Sequence, residues 1–184
     1  DLEEQVPVIN VSMGKGEWVM EGARRYGGRV IATISNEAHA RSVIEAGVDG
    51  LIVTGHEAAA HGGAVSSMVL VPVVRRLCEQ LQRDLPIIAA GGFADGRGLV
   101  AALALGADAV AMGTRWAMTR ESPVHDKTRE LIAAKHVDET LYTRNFDGMP
   151  CRIMDTPTAA AVTRRPLTLW RALWQSWLLM REQK

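Results

Sequence analysis

Disulfide chemistry has little to work with in this chain of 184 residues, whose two cysteines, Cys78 and Cys151, stand far apart and outside any Cys-x-x-Cys pair. That spacing argues against both a disulfide framework and a zinc knuckle, and a reducing, cytoplasmic setting is the expectation. Net charge is lacking too. Twenty-one Lys and Arg balance twenty-one Asp and Glu, so no long-range field draws the protein toward nucleic acid or an anionic membrane. The opening Asp1-Leu-Glu-Glu-Gln5 is acidic and polar and carries no initiator Met. It matches neither a signal peptide nor a transit peptide and reads as the interior of a longer sequence. The apolar run at 166–180 is interrupted by Arg171 and Gln175 and is too short for a membrane span.

What is present is an alternation of strand and helix patterns. Residues 6–12, 29–34 and 50–55, and the apolar starts of 87–98 and 107–114, are short runs of strand length, each ending at a loop or glycine. Between them, 17–26, 37–46, 70–82 and 98–105 carry helical spacing, and Ala46-Gly47 and Leu105-Gly106 have the form of glycine C-caps. Two phrases, Ala46-Gly-Val-Asp-Gly50 and Leu105-Gly-Ala-Asp-Ala109, occupy the same place in their units, leading from a helix into the next strand. They form an internal repeat of the β/α kind. The fold class expected is α/β, about five of the eight units of a TIM (β/α)8 barrel. The missing units are expected to be the N-terminal ones. The division expected is a partial barrel over residues 1–122 and a helical and irregular extension over 123–184. In the extension, 126–135 reads as a helix and 143–152 as irregular. Trp170, Trp174 and Trp177 fall on one face of a closing helix. That stripe is expected to pack on the protein itself or on a second subunit, a membrane interface being the alternative.

The chemistry concentrates in three places. Ile87-Ile-Ala-Ala-Gly-Gly-Phe-Ala-Asp-Gly-Arg-Gly98 and Ala107-Asp-Ala-Val-Ala-Met-Gly-Thr114 are two successive buried strands that open onto glycine. In a barrel, the loops after the last two strands make the phosphate site. Gly91, Gly92, Gly113 and Thr114 are the candidate phosphate holders, helped by a helix starting near Gly98 whose dipole favours an anion. The bland alternative is that these glycines only turn the chain. The third place is the loop Gly55-His-Glu-Ala-Ala-Ala-His-Gly-Gly63, where small neighbours leave room for a flat ring beside His61. A neutral imidazole there suits removal of a proton from a weak carbon acid. His56, Glu57 and His61 match no zinc spacing, and no metal is expected. Glu57 is assigned to loop backbone or to a cofactor. His39, His125 and His136 read as surface residues. Gly96-Arg-Gly-Leu-Val-Ala101 spells a dinucleotide fingerprint but follows a loop and lacks the acidic residue at the proper distance, so the match reads as accidental.

These residues resemble the FMN-dependent barrel flavoproteins that include nitronate monooxygenases, also called 2-nitropropane dioxygenases, and the flavin-containing enoyl-acyl-carrier-protein reductases. The resemblance covers residues 6–152. It rests on 55–61, on Ala89 through Asp108 and on Met112-Gly-Thr-Arg115. It implies that His61 is the catalytic base and that Glu57, Ala90, Gly91, Gly92, Met112, Gly113 and Thr114 bind FMN. The implied substrates are a nitronate or nitroalkane and oxygen, yielding a carbonyl compound and nitrite. Two other functions stay open: an NAD(P)H-dependent flavin reductase of an enoyl thioester or quinone, and a non-catalytic fragment. Inosine monophosphate dehydrogenase shares the phosphate strands, but its loop cysteine has no counterpart between Thr54 and Leu77. Where the family shows Glu-Ala-Gly-Gly-His, this chain has Glu57-Ala-Ala-Ala-His61. The family's opening strand and its glycine- and methionine-bearing loop have no counterpart here.

Overall fold

The structure, a computed structural model, describes residues 2–164 except 13, 15, 146 and 147, together with residue 168. The Trp170, Trp174 and Trp177 stripe lies outside the described residues. Two compact units are present, one of residues 1–58 and 63–116, the other of residues 59–62 and 117–184.

The first unit alternates β1 (Val8–Ser12), α1 (Glu17–Arg24), β2 (Arg29–Ile34), α2 (Glu37–Ala46) and β3 (Gly50–Thr54). After a loop it continues with α3 (Ser67–Gln80), β5 (Ile87–Ala90), α4 (Gly96–Ala104) and β6 (Ala109–Ala111), then enters the short α5 (Thr114–Ala117). The five strands pair in parallel in the order β1-β2-β3-β5-β6. That order never reverses, so right-handed crossovers place the helices on one face of the sheet. A topological switch point, where an open dinucleotide-binding sheet would hold its ligand, does not arise among these strands.

The burial pattern follows from that topology. Val30, Ala32 and Ile34 of β2 and Val53 and Ala89 of β3 and β5 point to the helix side and are buried. They meet Ala40, Val43 and Ile44 of α2 and Leu70, Val71, Val74 and Leu77 of α3 in one core. On the other face Ile31, Ile52 and Ile88 are only partly buried, and Thr33 donates to the Asn10 side chain at 3.0 Å.

The repeated Gly-x-Asp phrases have the same job in both places. Gly47 and Gly106 end their helical segments with φ of 97° and 96°, a region that costs an L side chain energy. Asp49 then accepts from the Val30 N–H at 2.8 Å while its own N–H donates to the Val30 carbonyl at 2.7 Å. Asp108 does the same with Ile87, at 2.7 and 2.8 Å. Each aspartate satisfies a strand-start N–H that lacks a ladder partner. The repeat is therefore a stapling device at the N-terminal ends of the strands.

The second unit contains β4 (Ala60–His61), α6 (Asp126–Ala133), β7 (Thr140–Thr143), β8 (Cys151–Met154) and α7 (Pro157–Thr163). The strands form an antiparallel sheet in the order β4-β8-β7. The segment read as irregular is thus bounded by two paired strands, and part of the His61 loop is itself a strand. The β7–β8 pair is a hairpin of four-residue runs and the β4–β8 pair joins distant segments, so neither leaves much local pattern to detect. Helix α3 begins at Ser67, three residues before the sequence pattern places it, because Ser67 and Met68 continue the first turn ahead of the apolar face.

Candidate functional site

At the C-terminal ends of the strands in the first unit, the loops after β3 and β5 lock together with the start of α3. The loop after β3 runs through Gly55, His56 and Glu57. Gly55 N–H donates to the Ala90 carbonyl at 2.9 Å, and His56 N–H to the Val65 carbonyl at 2.8 Å. Glu57 turns back onto the start of α3, where its carboxylate accepts from the Ser67 N–H at 3.0 Å and from the Ser67 hydroxyl at 2.7 Å. The N-cap residue of α3, Ser66, makes no side-chain cap bond, so a carboxylate from another loop fills that role. A negative group beside orphan N–H groups at a helix start is favourable. Burial alone would raise the Glu57 pKa, but the Ser67 bonds outweigh it and hold the carboxyl below the ordinary glutamate value. Within the chain, the Glu57 carboxylate bonds the backbone and the hydroxyl of Ser67.

The glycine pair after β5 is pressed on by the chain itself. Gly91 and Gly92 have φ of 98° and 79°, in the left-handed region that favours glycine. A Cβ on Gly91 would lie 3.0 Å from the Ala58 nitrogen and 3.2 Å from the Gly55 carbonyl oxygen, and one on Gly92 would lie 3.2 Å from the Glu57 Cβ. Glycine here admits the loop after β3. Gly113, after β6, differs: a Cβ there meets nothing within 4 Å. Among the described residues, the N–H groups of Gly92, Gly113 and Thr114 have no protein acceptor. Ala90 and Met112, the residues leading into these two turns, are half-buried. Open space at Gly113 beside three unspent donors fits an anionic group such as the phosphate of FMN. The start of α4 does not contribute to that fit, because the Asp95 carboxylate already accepts from Arg97 and Gly98 N–H, each at 3.0 Å.

His61 sits in the second unit. It is exposed and its strand pairs with β8, His61 opposite Cys151 and Ala60 opposite Arg152. The neighbouring Gly62 carbonyl accepts from the Tyr142 hydroxyl at 3.3 Å, and the Arg152 guanidinium stands 5.6 Å from the Tyr142 ring centroid. Pairing to β8 fixes the backbone of this histidine, a constraint invisible in the loop sequence. Cys78 and Cys151 are buried and form no disulfide with each other. Among the described residues no group of three or more His, Cys, Asp or Glu is arranged to hold a metal ion.

The sequence pattern also missed Ser67, which is only 4% exposed and joins α3, the Glu57 loop and the Gly91 carbonyl. Its one available signal was the Ser66-Ser67 pair ahead of an apolar run, which marks a helix start but not a tie between loops. A cleft of about 550 Å³ at the end of β1, lined by Val11, Ser12, Gly14, Gly16, Glu17, Trp18 and Val19, was likewise unforeseen.

The family model for nitronate monooxygenase matches residues 1–166. The chain belongs to the nitronate monooxygenase family. Among its relatives, the (3aS,4S,5R,7aS)-5-hydroxy-7a-methyl-1-oxo-octahydro-1H-indene-4-carboxyl-CoA dehydrogenase of Rhodococcus jostii is 39% identical over 155 residues, which are 84% of this chain and 42% of that protein. A probable nitronate monooxygenase of Staphylococcus saprophyticus is 34% identical, over 82% of this chain and 44% of that protein. FabK from Thermotoga maritima superposes with a TM-score of 0.81 and 39% identity, over 89% of this chain and 51% of that one. Nitroalkane oxidase from Streptomyces ansochromogenes superposes with a TM-score of 0.78 and 27% identity, over 93% of this chain and 52% of that one. The chain spans about half the length of the relatives it matches. For this member of the nitronate monooxygenase family, the five-stranded parallel sheet is part of a TIM barrel. The family and these solved neighbours are flavoproteins.

Proposed function

We propose that this chain is the flavin-phosphate half of an FMN-dependent oxidoreductase that oxidises alkyl nitronates with oxygen, giving a carbonyl compound and nitrite. The observation that carries the reading is the open space at Gly113 beside the unspent N–H groups of Gly92, Gly113 and Thr114, on the last two strands of a partial barrel, where barrels hold phosphate. Residues 1–122 are the flavin-binding part. Gly92, Gly113 and Thr114 would hold the FMN phosphate by backbone N–H, the Thr114 hydroxyl adding a donor. Ala90, Gly91 and Met112 would shape the two turns, and Glu57 would brace the first of them through Ser67.

Bound FMN supplies the two-electron oxidation, and the protein supplies orientation and proton transfer. His61 would take the proton from the carbon next to the nitro group, or orient a substrate that is already a nitronate. The soluble, cytoplasmic reading rests on charge and cysteine usage. Among the described residues no helix is long and apolar enough to cross a membrane.

A second reading has its own support. The carboxyl-CoA dehydrogenases match at 39% identity, above the 34% of the probable nitronate monooxygenase, and FabK, an enoyl-acyl-carrier-protein reductase, matches at 39%. A thioester, like a nitro group, acidifies its neighbouring carbon, so the same base and cofactor serve both.

The deciding experiment begins with an absorbance scan of the purified chain, where stoichiometric flavin supports the cofactor assignment and a colourless protein that takes up no FMN overturns it. Oxygen uptake with propyl-2-nitronate in the absence of NADH then supports the nitronate reading. Flavin reduction by an acyl-CoA, or NADH oxidation with an enoyl thioester and no nitronate turnover, replaces it with the thioester reading.

A further inference from the structure

We propose that Ser67 is a positioning residue that aims the Gly92 N–H for anion binding, an inference that rests on the phosphate reading of the Gly91–Gly92 turn. The Ser67 hydroxyl lies 2.9 Å from the Gly91 carbonyl oxygen and 2.7 Å from Glu57 Oε2. A hydroxyl has one proton, so the two acceptors compete for it, and the carboxylate also takes the Ser67 N–H at 3.0 Å. The consequence lies in the peptide that joins Gly91 to Gly92. It is trans, as all described peptides are, so its C=O and N–H are coplanar and point in opposite directions. A Gly91 carbonyl drawn toward Ser67 at the start of α3 turns the Gly92 N–H away from that helix.

Glycine makes this turn soft, and the tie makes it firm. Both residues sit in the left-handed region, where glycine has the widest choice of conformations and the largest ordering cost. The Ser67 hydroxyl is held from two further sides. Its residue is 4% exposed, and a Cβ on Gly55 would lie 2.4 Å from both its nitrogen and its Oγ. Such a buried, doubly engaged hydroxyl is a preorganising device, since a donor already aimed loses less freedom when a ligand arrives.

The test compares FMN with riboflavin, which lacks the phosphate, by flavin fluorescence titration of the full chain. For the wild type, FMN should bind at least tenfold more tightly than riboflavin. Ser67→Ala should lose most of that preference, with FMN affinity falling about tenfold while riboflavin affinity stays within about twofold. Ser67→Thr, which keeps the hydroxyl, should restore it. An equal loss for both flavins, tracking a fall in Tm, assigns Ser67 a merely structural role and overturns the proposal, as does an unchanged FMN preference. A wild type without any preference for FMN overturns the phosphate reading itself, and does so before any variant is made. Should Ser67→Ala fail to fold, Ser67→Cys keeps the volume and a weak donor, and a loss of FMN preference in the same direction supports the proposal while its absence overturns it.

Discussion

Asp108 and Ile87 exchange two hydrogen bonds: the Asp108 carboxylate accepts from the Ile87 N–H at 2.7 Å, and the Ile87 carbonyl accepts from the Asp108 N–H at 2.8 Å. Arg75 completes the arrangement with a 2.7 Å ion pair to the same carboxylate oxygen and a 2.7 Å bond to the Gly106 carbonyl. Asp108→Ala removes the acceptor from a buried strand-start N–H. The expected loss is about 1–3 kcal/mol of folding stability, read from urea unfolding, with Asp49→Ala losing a similar amount at Val30. A variant as stable as wild type would show that water replaces the carboxylate at no cost.

Gly55 and Gly113 predict opposite outcomes for the same substitution. A methyl group at Gly55 would meet Ser67 backbone and hydroxyl at 2.4 Å and Glu57 Oε2 at 2.5 Å, so Gly55→Ala should lose about 1–3 kcal/mol or fail to fold. Gly113→Ala meets nothing within 4 Å, and its stability should stay within about 0.5 kcal/mol of wild type. Its FMN affinity should nonetheless fall roughly tenfold, about 1.4 kcal/mol, if the space beside it takes the phosphate. Thermal melts and flavin titration of the two variants separate the effects.

The Glu57 carboxylate gives a pH signature with a definite sign. Its folded pKa is depressed below the ordinary 4.5, so folding binds the charged form more strongly than the unfolded chain does. The resulting stability is fully present above the unfolded pKa and is lost as pH falls through the lower folded pKa. Unfolding of wild type and Glu57→Gln across pH 7 to 3 should show the wild-type advantage shrinking only in the acidic part of that range. An advantage that grows on acidification would contradict the Ser67 bonding.

If His61 is the base, His61→Asn should lower turnover by about 10²–10⁴-fold while flavin absorbance and Tm remain those of wild type. Its exposure makes a stability effect small. A variant with undiminished turnover removes this histidine from the proton transfer.

Local pattern carried much of the fold. The five parallel strands and the helices between them follow from apolar runs of strand length, helical spacing and the left-handed glycines at 47 and 106, because those signals act over a few neighbouring residues. The alternation then implied a barrel segment before any contact was known. The glycine-ended strands were equally legible, although what they accommodate was not: Gly91 and Gly92 admit the loop after β3, and only Gly113 leaves space. The role of Asp95 as the α4 cap was also missed, though a carboxylate ahead of Arg97 and Gly98 is a local capping signal.

What the sequence determined by itself was the α/β alternation, the order of the units and the family motifs, all of which are written in contiguous residues. Tertiary structure alone decided that Glu57 closes on Ser67, that Ser67 reaches the Gly91 carbonyl, and that His61 lies in a strand paired to β8 opposite Cys151. Those contacts join residues from ten positions apart, as for Glu57 and Ser67, to opposite parts of the chain, as for His61 and Cys151, and their geometry depends on how the loops pack once the strands are in register. No local propensity encodes such packing, because its free energy appears only when the distant partners arrive together.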